Sequence, residues 1–164
     1  MNMLIQEKLG HLTSMTAGGR VIDVLELEWY ETSKRIMRKQ TRGGKEMALR
    51  FLKESPSLAE GDVLYADESM VIVVEILPCE AMVICLGRQQ DVAAVCYEIG
   101  NRHLPLFIDE GVLLVPFEEP LYRCLTAGGY DVRKDVRKLL YPLRSTVAGH
   151  AHTGGGLLSK ILGG

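Results

Sequence analysis

The sequence has no excess of positive charge and no long apolar run. Its 164 residues include 19 lysines and arginines against 21 aspartates and glutamates, so the formal net charge is −2. A chain with that balance has no overall basic field to hold a nucleic-acid backbone, and any such role would be local. It also lacks a stretch of roughly eighteen apolar residues, which excludes an ordinary membrane-spanning helix.

Secretory and disulfide signals are also missing. The N-terminus has no basic stretch, apolar core and small-residue cleavage site in succession, so we expect a cytoplasmic protein. The cysteines form no Cys-x-x-Cys pair, and the gaps of six and eleven residues between the first three match no common zinc spacing. We therefore expect reduced, buried thiols that pack as small apolar side chains. These cysteines are Cys79, Cys85, Cys96 and Cys124.

Strand and turn signals dominate the first half of the chain. Residues 21–29 alternate apolar and polar side chains with period two, which predicts a central, half-buried strand. Gly43 and Gly44 predict a hairpin turn, because glycine supplies the positive φ angles of tight turns. We predict a small β domain over residues 1–77. Its strands are predicted at residues 21–29, 35–40, 46–52, 63–65 and 70–77.

The periodicity changes after Pro78. Residues 89–99 carry apolar side chains at helical spacing, and we expect Gly100 to end that helix. The order of elements is βαββαβ, that of a ferredoxin-like unit, so we predict an α+β protein with this second domain over residues 78–144 and a flexible tail over residues 145–164. The other predicted elements are strands at residues 81–86, 104–108, 112–117 and 131–140, and a helix at residues 120–126 stopped by Gly128 and Gly129.

Histidine is the residue type that suggests chemistry. His150 and His152 lie in the glycine-rich tail, where no core satisfies them, and neutral imidazole is a common ligand for divalent metals. A solvated polar tail is the alternative. His103 follows the predicted helix, where a histidine commonly serves as a C-terminal cap. One imidazole cannot hold a metal ion, but a two-fold axis beside it would bring two copies together.

The residues around His103 resemble a known family signature. The run Gly-Asn-Arg-His over residues 100–103 closely resembles the signature of the UreE family, the nickel metallochaperones of urease maturation. The resemblance spans residues 3–152 and includes other segments in the same order and at similar spacing. These segments are residues 24–29, 34–39, 61–65 and 150–152.

The resemblance implies a fold and a function. It implies an N-terminal domain similar to the peptide-binding domain of DnaJ-type chaperones and a ferredoxin-like domain that forms a homodimer. His103 of each subunit would bind a shared Ni(II), His150 and His152 would complete the shell, and Zn(II) or Cu(II) would substitute in vitro. The protein would capture Ni(II) and deliver it to the urease apoprotein during active-site assembly, with accessory partners that include the GTPase UreG.

Two other functions compete with this interpretation. Basic residues at 34–45 and 133–138 and the ferredoxin-like unit favour an RNA- or nucleic-acid-binding protein, but the sequence lacks the basic-Gly-aromatic core of an RNA-recognition motif. Cys96 and His103 would be the pair of an enzyme, yet seven residues of helix separate them by about 10 Å. We therefore expect no enzyme. We assign His11 to the surface, without a role, and expect Asn101 and Arg102 to shape the helix exit or the interface.

Overall fold

A computed structural model describes residues 3–13, 18–52 and 56–143. Within these ranges the chain forms eleven strands, two α-helices and a short 3₁₀ helix at Trp29–Glu31. The first seven strands are β1 (Met3–Ile5), β2 (Gly10–His11), β3 (Val21–Leu27), β4 (Ile36–Gln40), β5 (Glu46–Arg50), β6 (Asp62–Ala66) and β7 (Met70–Ile76). They are followed by β8 (Cys79–Cys85), α1 (Gln89–Asn101), β9 (Phe107–Asp109), β10 (Val112–Pro116), α2 (Glu119–Ala127) and β11 (Asp131–Arg137).

The first seven strands form two sheets with a shared core. One sheet has the order β1-β5-β4 and the other the order β2-β6-β7-β3. Alternate side chains of each sheet point into the same apolar cluster, as expected for sheets with one buried face. The predicted β unit and its hairpin of β4 and β5 are confirmed. The buried residues include Ile5, Met37, Met47 and Leu49 from the first sheet and Leu25, Leu27, Ile72 and Val74 from the second.

The expectation that residues 21–29 form a central strand is wrong. The strand β3 ends at Leu27 and occupies an edge of its sheet, where it pairs in parallel with β7. Its alternating pattern reflects one buried face, on which Leu25 and Leu27 are fully buried. The periodicity of a strand indicates which of its faces is buried, but it does not indicate whether the strand has one neighbouring strand or two. The core between the sheets therefore produces the pattern that suggested a central strand.

A buried carboxylate anchors the turn between β4 and β5. Asp23 is 7% exposed and accepts hydrogen bonds from the Thr41 hydroxyl at 2.6 Å and from the Gly43 N–H at 2.8 Å. Burial acts to raise the pKa of Asp23, but these hydrogen bonds outweigh it and leave the pKa below its ordinary value. Only Gly44 of the two turn glycines has a positive φ, +84°. Gly43 instead provides space, because a Cβ there would lie 2.7 Å from Asp23 Oδ2.

We expect Gly43→Ala to lower the free energy of unfolding by about 1–3 kcal/mol, because the added methyl group displaces the Asp23 carboxylate. Gly87→Ala is the matched control, since a Cβ at Gly87 meets no atom within 4 Å. Urea unfolding of both variants measures the difference. Equal losses of stability in the two variants would contradict the role of Gly43.

The remaining elements form the predicted ferredoxin-like unit. Four antiparallel strands have the order β11-β8-β10-β9, and α1 and α2 cover one face. The α+β class is confirmed. The β9–β10 hairpin turns through Glu110 and Gly111, whose φ angles of 46° and 82° are those of a two-residue type I′ turn. The core under the helices contains Val95, Ile99, Leu121, Leu125, Met82, Ile84, Leu113 and Val115.

The other face of this sheet meets the first half of the chain. Trp29 packs edge-on against Phe107, with ring centroids 5.8 Å apart. After β11 the chain returns across the interface, where Lys138 Nζ lies 2.8 Å from Glu60 Oε1 and 3.5 Å from Glu75 Oε1. An apolar cluster and an ion-pair network therefore join the two halves.

No helix in the described part of the chain is long and apolar enough to cross a membrane. The predicted tail over residues 145–164, with His150 and His152, lies outside the described residues.

Candidate metal centre

The end of α1 determines where His103 lies. The backbone N–H of His103 donates to the Gly100 carbonyl at 3.0 Å, and the backbone N–H of Leu104 donates to the Ile99 carbonyl at 3.2 Å. These two bonds form a Schellman motif, in which the residue after the helix adopts a left-handed conformation. Leu104 completes the motif by packing into the cluster that contains Ile99. The cap therefore fixes the backbone of His103 against the ferredoxin-like core.

The expectation that Gly100 ends the helix is wrong. The helix continues to Asn101, Arg102 is the C-cap, and the left-handed position falls on His103 with φ +55°. Glycine is the usual residue there because it has no Cβ, and a non-glycine residue pays about 1–2 kcal/mol in this conformation. Histidine is enriched several-fold among the non-glycine residues that adopt it. The position is thus conformationally strained, as is common at functional sites.

The His103 side chain is accessible. The residue is exposed and makes no side-chain hydrogen bond or ion pair with any other residue in the ranges described. Its neighbour Arg102 lies near Glu98, with Nε 3.9 Å from Oε2, so the adjacent charge is partly neutralised. An imidazole nitrogen that has no hydrogen-bond partner is available to bind a metal ion.

The described residues do not contain a complete metal site. No group of three or more histidine, cysteine, aspartate or glutamate side chains among them is arranged to hold a metal ion. His11 lies on β2, with Nε2 2.8 Å from the Glu60 carbonyl and Nδ1 2.9 Å from the Thr13 hydroxyl. It is half-buried rather than a free surface histidine, so that expectation is only partly correct. A metal ion at His103 would therefore need ligands from outside the described residues.

The cysteines do not supply those ligands readily. All four are free thiols. Burial raises the pKa of Cys96, and burial with the nearby charge of Glu28 raises the pKa of Cys79, so both resist forming the thiolate that binds metals. The expectation of buried thiols is wrong, because Cys79, Cys85 and Cys96 are only half-buried and Cys124 is exposed on α2. Helical spacing does not give this away, because Cys124 lies three residues after the buried Leu121 and would be expected near the same face of α2.

The exposed face of α1 leads directly to His103. It carries Tyr97, which is 70% exposed, and the small residues Ala93, Ala94 and Gly100, all exposed. The opposite face buries Val95 and Ile99. Small side chains around one large aromatic leave room for a second helix to approach closely.

A cavity between the two halves of the chain has no metal-binding chemistry. Its volume is about 640 Å³, and its lining includes Trp29, Leu58, Phe107 and Leu139. None of the described residues that line it is a histidine, cysteine, aspartate or glutamate. The end of α1, and not this cavity, therefore remains the candidate metal site.

Comparison with known proteins decides the family. Models of the UreE urease accessory protein match residues 5–77 with the N-terminal domain and residues 80–156 with the C-terminal domain. The chain belongs to the UreE family. The UreE of Flavobacterium johnsoniae is 45% identical over 151 residues, which cover 92% of each chain. The UreE of Actinobacillus pleuropneumoniae is 40% identical over 152 residues, covering 90% of this chain and 81% of its own. That of Helicobacter pylori is 38% identical over 150 residues, covering 89% and 88%.

Membership of the UreE family resolves two of the alternatives. UreE proteins are accessory proteins and not enzymes, so the prediction of no enzyme is confirmed. The nucleic-acid alternative is not supported. Phe107 on β9 is buried beneath Trp29, and Lys134 Nζ lies 4.2 Å from the centre of the Phe117 ring, so neither aromatic is free to stack on a base.

We expect His103→Gly to raise the free energy of unfolding by about 1 kcal/mol, because glycine removes the left-handed strain. His103→Ala keeps a Cβ and should give no such gain. Gly129→Ala is the opposite control, since Gly129 holds the same left-handed position after α2 with φ +77° and should lose stability. Thermal unfolding compares the three variants. A stabilised alanine variant at His103 would mean that the backbone strain is not the cause.

Proposed function

We propose that this protein is a nickel metallochaperone, which captures Ni(II) and delivers it to the urease apoprotein while the urease active site is assembled. The observation that carries the proposal is His103, an exposed imidazole that has no side-chain partner among the described residues and is held in a left-handed cap within the family signature. Membership of a family of urease accessory proteins supports the choice of urease as the recipient.

The metal site forms between two subunits in this proposal. One His103 is too few to retain a metal ion, and a homodimer with its two-fold axis beside the end of α1 provides a second copy. The exposed face of α1, with Tyr97 among small residues, is the surface that we assign to this contact. The contact and the site share one helix, so dimer formation and site formation occur together.

His150 and His152 supply the remaining imidazoles. Glycines at positions 149 and 154–156 surround them, and such a segment can bring ligands to a site that the folded domain leaves open. Imidazole binds divalent metals in the Irving–Williams order, so Cu(II) should bind more tightly than Ni(II) and Zn(II) should also bind in vitro. Selection of nickel then depends on metal availability and on partners.

The remaining parts of the proposal concern place and organisation. The protein acts in the cytoplasm, where the urease apoprotein and accessory proteins that include the GTPase UreG receive the metal. We assign residues 1–77 to partner binding, residues 78–144 to dimerisation and metal binding, and residues 145–164 to a ligand-bearing tail. The two family-model matches support that division, because the first ends at residue 77 and the second begins at residue 80.

We expect His103→Ala to abolish the tightest Ni(II) site while the protein stays folded, because each dimer loses both interface imidazoles. Calorimetric titration with Ni(II) measures the change, and circular dichroism checks the fold. His11→Gln is the matched control, since it removes a histidine whose ring nitrogens face Thr13 and the Glu60 carbonyl. Unchanged tight binding in the His103 variant would exclude the interface site.

We expect the double variant His150→Ala and His152→Ala to weaken Ni(II) binding or lower its stoichiometry without changing the dimer. The tail supplies imidazoles, whereas the dimer contact belongs to α1. Titration combined with analytical ultracentrifugation separates the two effects. If the variant became monomeric in the absence of metal, the division between tail and folded domain would be wrong.

A further inference from the structure

The three-stranded sheet β1-β5-β4 has an outer face that no described element covers. Side chains alternate strictly along its strands: Met37, Met47 and Leu49 point into the core, and their neighbours point outward. Leu4, Ala48 and Arg38 share one row across the three strands. The outward side chains therefore form one continuous surface, which we call the outer face; it consists of Leu4, Ile36, Arg38, Gln40, Glu46, Ala48, Arg50 and Leu52.

Large apolar side chains lie exposed on the outer face. Ile36 is 72% exposed, Leu4 58% and Leu52 57%. Ile36 lies directly opposite Arg50 on the neighbouring strand. With strands about 4.8 Å apart and alternate residues about 6.8 Å apart, the outer face measures roughly 10 by 20 Å, and its three large apolar side chains span about 14 Å of that length. Apolar side chains gathered on one sheet face, rather than scattered singly, are typical of an interaction surface.

Two arginines of the outer face lack a carboxylate partner. Arg38 and Arg50 are exposed, and neither forms an ion pair or a side-chain hydrogen bond within the residues that the structure describes. Arg42, by contrast, lies 2.6 Å from Glu26 and 2.7 Å from Glu75. Glu46 is the face's acidic residue, and it lies opposite Gln40 rather than opposite an arginine. The face thus combines uncompensated positive charge with apolar area, in a chain whose net charge is −2.

We propose that the outer face docks an acidic, partly apolar surface of a partner protein, and that this partner is the urease apoprotein. Carboxylates of the partner pair with Arg38 and Arg50, while its apolar side chains cover Leu4, Ile36 and Leu52. The identity of the partner rests on the proposed function; the chemistry of the face does not. Such charge complementarity directs encounter and register, and the apolar contacts hold the complex.

The composition of the outer face argues against other occupants. A second copy of the face would bring four arginines together, which is unfavourable at close range. The undescribed C-terminal residues 144–164 contain no aspartate or glutamate, so they offer nothing to the arginines. A phosphate backbone would satisfy the arginines but would leave the three apolar side chains without a partner. An acidic protein surface that also carries apolar residues provides partners for both the arginines and the apolar side chains.

The test is direct binding of the full-length protein to purified urease apoprotein, measured by biolayer interferometry at several salt concentrations. We expect the double variant Arg38→Glu and Arg50→Glu to bind at least about tenfold more weakly and to lose much of the salt dependence. The variant Ile36→Ser should also bind more weakly but keep the salt dependence. Arg88→Glu with Arg123→Glu is the charge-matched control, because both side chains are 78% exposed in the other half of the chain, Arg88 at the N-cap of α1 and Arg123 on α2.

Parallel measurements separate this proposal from the proposed function. Nickel titration of the same variants should match the wild type, because the outer face lies outside the His103 site. Unchanged binding of the double variant to the apoprotein, or no binding by the wild type, overturns the docking proposal. Neither result bears on nickel capture, which the Ni(II) titration tests separately. A change in the mass of the assembly in solution, caused by the double variant, would show instead that a second copy occupies the outer face. If the double variant lost binding to a single-stranded oligonucleotide but still bound the apoprotein, nucleic acid would be the occupant of the outer face.

Discussion

The packing of α1 on the ferredoxin-like sheet is the constraint on which the candidate site depends. Val95 and Ile99 bury one side of the helix against β8 and β10, and Leu104 adds the apolar contact that closes the Schellman cap. These contacts fix the end of the helix to the core. His103 is therefore presented to solvent from a rigid backbone, although its side chain has no partner among the described residues. The opposite side of the same helix remains available for contact with another subunit.

Much of the fold followed from periodicity and turn residues. The helical spacing of Val95 and Ile99 predicted α1, and Gly128 with Gly129 predicted the end of α2, where Gly129 has φ +77°. These signals are local, so a single sequence contains them. The edge position of β3 could not be predicted in this way, because its buried face contacts strands that are distant in sequence.

The candidate site was only partly predictable from the residues alone. A glycine near a helix end usually takes the left-handed position, so Gly100 was the natural choice, yet that conformation falls on His103. The apolar Leu104, which must pack back onto Ile99, selects the position of the cap. That packing depends on the tertiary core and carries no strong local signal. The prediction that His103 is a ligand came from the resemblance of residues 100–103 to a family signature and not from their local chemistry.

The chain segment after β11 has a consequence for the order in which the molecule forms during synthesis. It brings Lys138 to Glu60 and Glu75, and its Leu143 N–H donates to the Leu106 carbonyl at 2.7 Å. The sheets of the first half are complete once β7 has left the ribosome, whereas this segment emerges after every strand and both helices. The two halves can therefore fold one after the other, and Lys138 joins them when both surfaces already exist.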